Sequence, residues 1–184
     1  MADRDNLNQR DRAFIAKQRM FFVATAPLDG KGLVNLSPKG LDDTFAVIDD
    51  QTVAYLDLTG SGVETIAHLR ENGRICVMFC AFEGKPNILR IQGTGDVIEP
   101  NDAEFPELRE HFAPMDGVRA IVRVRTGRVA DSCGYAVPLY DYTGQRDELL
   151  DWVEKKGPDG VRAYQGKKNR HSLDGLPGLA SLGE

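Results

Sequence analysis

A glycine-rich turn between two apolar stretches has the clearest capacity for binding chemistry in this sequence. Thr59-Gly60-Ser61-Gly62 follows the strand-like run Tyr55-Leu56-Asp57-Leu58, and Val63-Glu64-Thr65 opens a stretch with helical spacing. The N-terminus of a helix binds anions through N–H groups that lack intrahelical acceptors, and glycine lets a phosphate approach the backbone. The hydroxyls of Ser61 and Thr65 would add donors. An equally simple interpretation makes Ser61 a helix N-cap and Thr65 an exposed helical residue.

A second polar group lies in the segment Val34-Asn35-Leu36-Ser37-Pro38-Lys39-Gly40. Asn35, Ser37 and Lys39 occupy alternate positions, so on a strand their amide, hydroxyl and ammonium groups point to one face. They could then bind one ligand together. We expect Pro38 to end the strand, and the alternative interpretation is an exposed turn with a solvated lysine.

Three other kinds of site are disfavoured by residue spacing. Gly60 and Gly62 fit half of a dinucleotide fingerprint, but Thr65 replaces its third glycine, and hairpins rather than strand-helix alternation flank the turn. A nucleophile elbow needs the pattern Gly-x-Ser-x-Gly, which the turn does not have. The three histidines are scattered and the cysteines form no Cys-x-x-Cys pair, so no metal site is predicted.

Short apolar runs separated by turns predict a mainly antiparallel β fold. Strands are predicted at residues 20–26, 33–37, 44–48, 52–58, 74–82, 87–99 and 118–129, and helices at 6–18, 63–72, 104–112 and 146–155. The first four strands favour a meander, and Gly93 and Gly95 suggest a bend typical of a barrel wall. In the last strand, Arg119, Arg123 and Arg125 are expected to share one face. From residue 157 onward the sequence lacks periodicity and predicts an ordered arm or a loose tail.

Composition sets limits on the class of protein. The chain has 184 residues and a net charge of −5, from Lys+Arg 23 and Asp+Glu 28. Its length predicts one domain, and its charge disfavours binding to nucleic acid or to an anionic membrane. The longest apolar stretch, residues 75–82, is far shorter than the roughly 20 residues of a membrane-spanning helix. Because the first residues are polar and do not resemble a secretory signal, we expect a cytoplasmic location.

The order and spacing of these segments resemble the pyridoxamine 5'-phosphate oxidase-like, FMN-binding split-barrel family. The resemblance rests on residues 22–26, 34–40, 53–57, 59–72 and 74–79, and it extends from about Gln9 to Val129. It implies a mainly β fold, a six-stranded antiparallel split barrel with flanking helices, which pairs as a homodimer and holds FMN at the subunit interface. Residues 1–131 would form the FMN-binding domain. Residues 132–184 would form an extension, a helix plus a Gly/Pro-rich arm, packed on the barrel or on the partner subunit.

The resemblance also implies a set of cofactor-binding residues. The strand with Asn35, Ser37 and Lys39 would run beside the isoalloxazine ring and ribityl chain, residues 55–58 would supply main-chain contacts, and the turn up to Thr65 would hold the phosphate. Relatives commonly carry Arg or Lys where this chain has Glu64, so Lys39 and one of Arg90, Arg119 or Arg123 would supply positive charge. The predicted set is Asn35, Ser37, Pro38, Lys39, Tyr55, Leu56, Asp57, Leu58, Gly60, Ser61, Thr65 and Arg90.

Three functions follow from the resemblance and the residues. The first is an FMN-dependent oxidoreductase that passes hydride or electrons to a small-molecule acceptor; the C-terminal Arg and His motif of true pyridoxamine phosphate oxidases is not found. The second is a non-catalytic protein that binds or stores a flavin, haem or a deazaflavin. The third is a structural dimer in which Glu64 abolishes cofactor binding. A site sealed by residues 169–179 would favour storage, and an open ring face would favour catalysis.

Overall fold

One curled sheet of seven antiparallel strands dominates the computed structural model, which describes residues 3–183. The sheet order is β2-β1-β5-β6-β7-β4-β3. The mainly β split-barrel prediction is confirmed, but the strand count is seven rather than the six that the resemblance implies, because a three-residue edge strand pairs with its neighbour. The strands are β1 (Phe21–Thr25), β2 (Asn35–Lys39), β3 (Phe45–Val47), β4 (Thr52–Leu58), β5 (Arg74–Cys80), β6 (Ile88–Ile98) and β7 (Val118–Ser132).

Within residues 3–183, four α-helices flank the sheet. They are α1 (Gln9–Ile15), α2 (Glu64–Asn72), α3 (Phe105–Arg109) and α4 (Glu148–Lys168), followed by a 3-10 turn at Ala180–Leu182. Gly73 ends α2 in the left-handed conformation, φ 69°, as the Asn-Gly pair predicts. α4 extends well past the predicted end. Gly157 takes φ 64° at a kink and Pro158 restarts the helix, so the prediction of an aperiodic segment from residue 157 is wrong up to residue 168.

The first four strands do not form the predicted meander. The β1–β2 and β3–β4 hairpins lie at opposite edges of the sheet, and β5, β6 and β7 separate them. Curling brings these edges together: the Phe21 ring lies 5.0 Å from that of Phe45 and 5.4 Å from that of Tyr55, between ring centroids. Pro38 lies within β2 rather than ending it, because an edge strand tolerates a residue without an N–H donor.

The core lies inside the curl, with smaller clusters outside it. The interior cluster holds large buried side chains of five strands, among them Val23, Tyr55, Val77, Ile91 and Val122. A third cluster joins Val63 and Ile66 of the α2 region to Ala120 and Leu179, so the C-terminal segment contributes to the packed interior. Within residues 3–183, no helix is both long and apolar enough to span a bilayer.

Candidate functional site

A polar row lies on the inner face of β2. Asn35, Ser37 and Lys39 are half-buried, while Leu36 and Pro38 between them are exposed. Their antiparallel partners Thr25, Val23 and Phe21 face the interior, so the three polar side chains face it too. The structure therefore brings these three predicted site residues together, at the edge of the sheet. We call Asn35, Ser37 and Lys39 the β2 row.

Hydrogen bonds tie the β2 row to the start of α2. Ser37 Oγ donates to Asn35 Oδ1 at 2.8 Å, and Asn35 Nδ2 donates to Thr65 Oγ1 at 2.9 Å and to Thr25 Oγ1 at 3.1 Å. Thr65 is buried, so the interpretation of an exposed helical residue is wrong. The hydrogen-bond network continues to His68, whose Nδ1 lies 2.9 Å from Thr25 Oγ1. The orientation of the Asn35 amide is thus fixed by three hydroxyls, those of Ser37, Thr25 and Thr65.

A fully buried carboxylate, Asp57, anchors the other end of the β2 row. Lys39 Nζ lies 2.9 Å from Asp57 Oδ1, and Arg119 Nε donates to Oδ2 at 2.8 Å. Burial on its own would raise the pKa of Asp57, but the two cations outweigh it and lower that pKa to about 2. The carboxylate is therefore ionised at neutral pH, and its charge is already shared between Lys39 and Arg119.

Arg119 is the arginine that the fold brings to the glycine turn. A β-bulge between Asp57 and Leu58 makes Arg119 an extra residue of β7 and turns it inward, where its Nη1 lies 3.4 Å from the Gly60 carbonyl oxygen. The prediction that Arg119 shares a face with Arg123 and Arg125 is therefore wrong. Those two pair with Asp96 on the outer face.

Arg90 also lies away from the β2 row. Its neighbours Leu89 and Ile91 point into the core, so strand alternation places Arg90 on the outer face, where Nη1 donates to Ser132 Oγ at 2.8 Å. Within one chain it cannot join the predicted set, and the same outer-face position excludes Arg123. Pro38 is turned away from the row for the same alternating reason.

Residues 55–58 take up different positions around the site. Tyr55 is fully buried, and burial, aided by Asp57, raises the pKa of its phenol well above the ordinary value. Leu56 and Leu58 pack in the cluster that includes Leu108 of α3, on the outer face of the sheet. β4 lies between β3 and β7 in the sheet, so much of its main chain is engaged in strand pairing.

Glu64 places a carboxylate at the N-terminus of α2. Val63 is the N-cap and provides no side-chain hydrogen bond, while Ser61 is exposed, so the interpretation of Ser61 as the N-cap is wrong. The Glu64 carboxylate folds back against the backbone of Gly62. Its Oε1 accepts a hydrogen bond of 3.3 Å from the Leu173 N–H. This carboxylate therefore stands beside the helix terminus at which the sequence predicts phosphate binding.

A segment from the end of the chain, residues 169–179, packs over the same turn; we call it the C-terminal arm. Asn169 Nδ2 donates to the Gly60 carbonyl at 2.9 Å, and Asp174 Oδ2 accepts from the Leu33 N–H at 2.8 Å. Leu179 at its end is buried in the cluster with Val63. The arm therefore spans from the glycine turn to Leu33, two residues before β2.

Sequence reasoning considered residues 169–179 as a possible seal of the site, but it did not assign Thr25 or Asn169 to the site. Thr25 lies opposite Asn35 in the pairing of β1 with β2, a register that depends on the geometry of the connecting turn. No local signal marks Asn169. His68, one of the three scattered histidines, shares a hydrogen bond with Thr25. Burial lowers the pKa of His68, against the carboxylates of Asp174, Glu64 and Glu71, and its Nε2 has no partner in the described chain.

Two substitutions test how α2 begins. Thr65→Val leaves the Asn35 amide without one acceptor and is expected to lower the free energy of unfolding by about 1–3 kcal/mol. Ser61→Ala, in the exposed turn, is expected to change it by less than about 0.5 kcal/mol. Urea unfolding of both variants gives the comparison. A larger loss for Ser61→Ala than for Thr65→Val would show that Ser61 caps the helix after all.

Comparison with known proteins gives a consistent set of similarities. The family model described as "Pyridoxamine 5'-phosphate oxidase" matches residues 7–133. The pyridoxamine 5'-phosphate oxidase family protein ustO of Aspergillus flavus is 42% identical over 193 aligned residues, which cover 96% of this chain and 77% of that protein. The crystal structure of HupZ from Group A Streptococcus gives a TM-score of 0.52 at 22% identity, covering 69% of this chain and 94% of that chain. At this identity the likeness to HupZ shows the fold alone.

Proposed function

Because the chain belongs to the pyridoxamine 5'-phosphate oxidase family, we propose that it is a flavin-dependent oxidoreductase acting on a small-molecule acceptor. The observation that carries the proposal is the β2 row, which sets an amide, a hydroxyl and an ammonium group on one face of an edge strand. The carbonyl and nitrogen atoms of an isoalloxazine ring and the hydroxyls of a ribityl chain are partners for such groups. Family membership and the β2 row both support a flavin site beside β2.

FMN, the cofactor implied by the resemblance, has a ring end and a phosphate end. The residues of the site match the first better than the second. The β2 row fits the ring and the ribityl chain. At the phosphate end, the Glu64 carboxylate and the C-terminal arm stand at the start of α2. Lys39 and Arg119 are both already paired with the single carboxylate of Asp57. The donor set therefore fits a flavin ring and does not fit a terminal phosphate dianion.

The residues of this chain would hold and orient a bound flavin. A bound flavin supplies the hydride or electron transfer chemistry itself. Asp57 fixes the Lys39 ammonium, while Thr25 and Thr65 fix the Asn35 amide, so the polar groups of the row are ordered before a ligand binds. Lys39 retains about a fifth of its side-chain exposure, which leaves the Lys39 end of the row accessible.

We propose further that the active form is a homodimer, with the ligand at the subunit interface. β2 is an edge strand, and its outer face together with the preceding turn exposes Leu28, Leu33, Val34 and Leu36. Monomeric proteins seldom expose apolar residues along an unpaired edge, so a second copy is the expected cover. Light scattering during gel filtration is expected to give twice the mass of one chain, and a monomer at micromolar concentration would contradict this proposal.

A second candidate function is non-catalytic flavin binding, and the C-terminal arm is the observation that favours it. The arm covers the α2 end of the site through Asn169 and Asp174. A covered site retains a ligand and limits the approach of an acceptor. The two functions differ in whether the bound ring exchanges electrons with a reductant.

Flavin retention tests the proposed function. The protein is mixed with a slight excess of riboflavin or FMN and desalted, and its visible spectrum is recorded. Lys39→Gln is expected to weaken retention at least about tenfold, the effect of one lost charged hydrogen bond. Lys85→Gln, the same change in an exposed turn, serves as the control and is expected to bind normally.

Each outcome decides between the candidates. Retained flavin that NADH or NADPH bleaches anaerobically supports the oxidoreductase, and retained flavin that neither nucleotide reduces supports the binding protein. A protein that retains neither riboflavin nor FMN contradicts both. An equal loss of retention in Lys39→Gln and Lys85→Gln would place the ligand elsewhere.

A further inference from the structure

The start of α2 already carries a negative charge from the chain itself, the Glu64 carboxylate. The positive end of a helix dipole and its free N–H groups attract a negative charge. In this chain Glu64 is the first helical residue, and its carboxylate turns back against Gly62. The Leu173 N–H of the C-terminal arm then donates to it. A ligand phosphate at this place would compete with a carboxylate that is part of the fold.

The C-terminal arm is built into this position rather than lying loosely over it. Asn169 is fully buried and donates to the Gly60 carbonyl, and Gln165 Nε2, just before the arm, donates to Thr59 Oγ1 at 2.8 Å. Gly178 packs so tightly against the Asn169 carbonyl that a Cβ would overlap it. Displacing the arm would therefore break buried packing as well as hydrogen bonds.

The charged groups around the whole site also disfavour a dianion. Lys39 and Arg119 are the cations, and both pair with Asp57. Glu64 and Asp174 add two further carboxylates, each held by a backbone N–H. Together, Lys39, Arg119, Asp57, Glu64 and Asp174 carry one net negative charge. A phosphate would add about two more negative charges to a region that is already net negative.

From these contacts we propose that the site selects a flavin without a terminal phosphate, of the riboflavin class, over FMN. Glu64 and the C-terminal arm are the specificity elements, because they fill the phosphate subsite and repel a dianion. The inference rests on the proposed function, since it concerns the ligand of the same site. It assigns the far end of the ligand to a neutral hydroxyl group.

Fluorescence titration with riboflavin and with FMN measures the selectivity directly. The wild-type protein is expected to bind riboflavin at least tenfold more tightly than FMN. Glu64→Lys supplies a cation at the start of α2 and is expected to shift this ratio toward FMN by at least tenfold. Glu83→Lys, the same charge change in an exposed turn, is expected to leave the ratio unchanged. Glu64→Gln, which removes only the charge, is expected to give an intermediate ratio, and it replaces Glu64→Lys if circular dichroism shows that variant unfolded.

The outcomes separate this inference from the function on which it rests. If the wild-type protein binds FMN as tightly as riboflavin or more tightly, the selectivity is overturned while the flavin function stands. An unchanged ratio in both Glu64 variants also overturns the role of Glu64. Binding of neither flavin overturns the proposed function and the inference together. Hydrogen exchange gives an independent readout: the C-terminal arm is expected to stay protected when riboflavin is bound.

Discussion

Asp57→Asn is expected to lower the free energy of unfolding by about 3–5 kcal/mol at neutral pH, the usual cost of removing one partner from a buried ionic network. Asp57 is fully buried and holds both Lys39 and Arg119. The amide can replace the shape of the carboxylate but not its charge. Arg119, itself buried, would then keep a charge without compensation. Urea unfolding of the wild-type protein and the variant at pH 7 measures the difference.

Asp96→Asn provides the matched control. Asp96 also binds two arginines, Arg123 and Arg125, but its side chain is 33% exposed on the outer face. Exposed ion pairs contribute little, so a loss below about 1 kcal/mol is expected. Similar losses for Asp57→Asn and Asp96→Asn would contradict the argument that burial makes the Asp57 network contribute more to the free energy of unfolding.

Acid titration checks the same network by a different route. The pKa of Asp57 is lowered to about 2 in the folded protein, and an unfolded aspartate has a pKa of about 3.9. A lowered folded pKa contributes stability that is fully present above the unfolded pKa and is lost as the pH falls toward the folded one. The advantage of the wild-type protein over Asp57→Asn is therefore expected to shrink between about pH 4 and pH 2. An advantage that stays constant across this window would contradict the ionised state of Asp57.

The features that sequence reasoning predicted well depend on local rules. Alternation along a strand put the polar side chains of the β2 row on one face, and the Asn-Gly pair ended α2 at Gly73. Seven apolar runs also matched the seven observed strands, although the resemblance implied six. Each of these predictions needs only the neighbours of a residue along the chain.

The features that it missed depend on contacts between distant segments. The bulge that turns Arg119 inward arises from the pairing of β4 with β7, and no property of residues 118–125 alone reveals it. Strand order is also non-local, which is why two hairpins interpreted as one meander lie at opposite edges. Glu64 was recognised as unusual from its type. Its bond to Leu173, 109 positions away, could not be foreseen, because the arm has no periodic pattern.

The second large effect is expected from Leu179→Ala, with a loss of about 2–5 kcal/mol in the free energy of unfolding. Leu179 is buried against Val63, Ile66 and Ala120, so truncation leaves a cavity between the C-terminal arm and the barrel. The next two N–H groups, of Ala180 and Ser181, donate to the buried carboxylate of Glu99, at 2.7 and 2.9 Å. These bonds hold the backbone in place, so it cannot move to fill the cavity. The full loss in the free energy of unfolding is therefore expected.

Leu173→Ala is the control, because Leu173 lies in the same arm but is 79% exposed. It is expected to change stability by less than about 0.5 kcal/mol. Hydrogen exchange in Leu179→Ala is expected to rise across residues 169–179 before the sheet exchanges, since the cavity weakens the arm first. Equal stability of the two variants would show that the arm is not part of the folded core. It would then be free to leave the start of α2, and the exclusion of phosphate would depend on the charge of Glu64 alone.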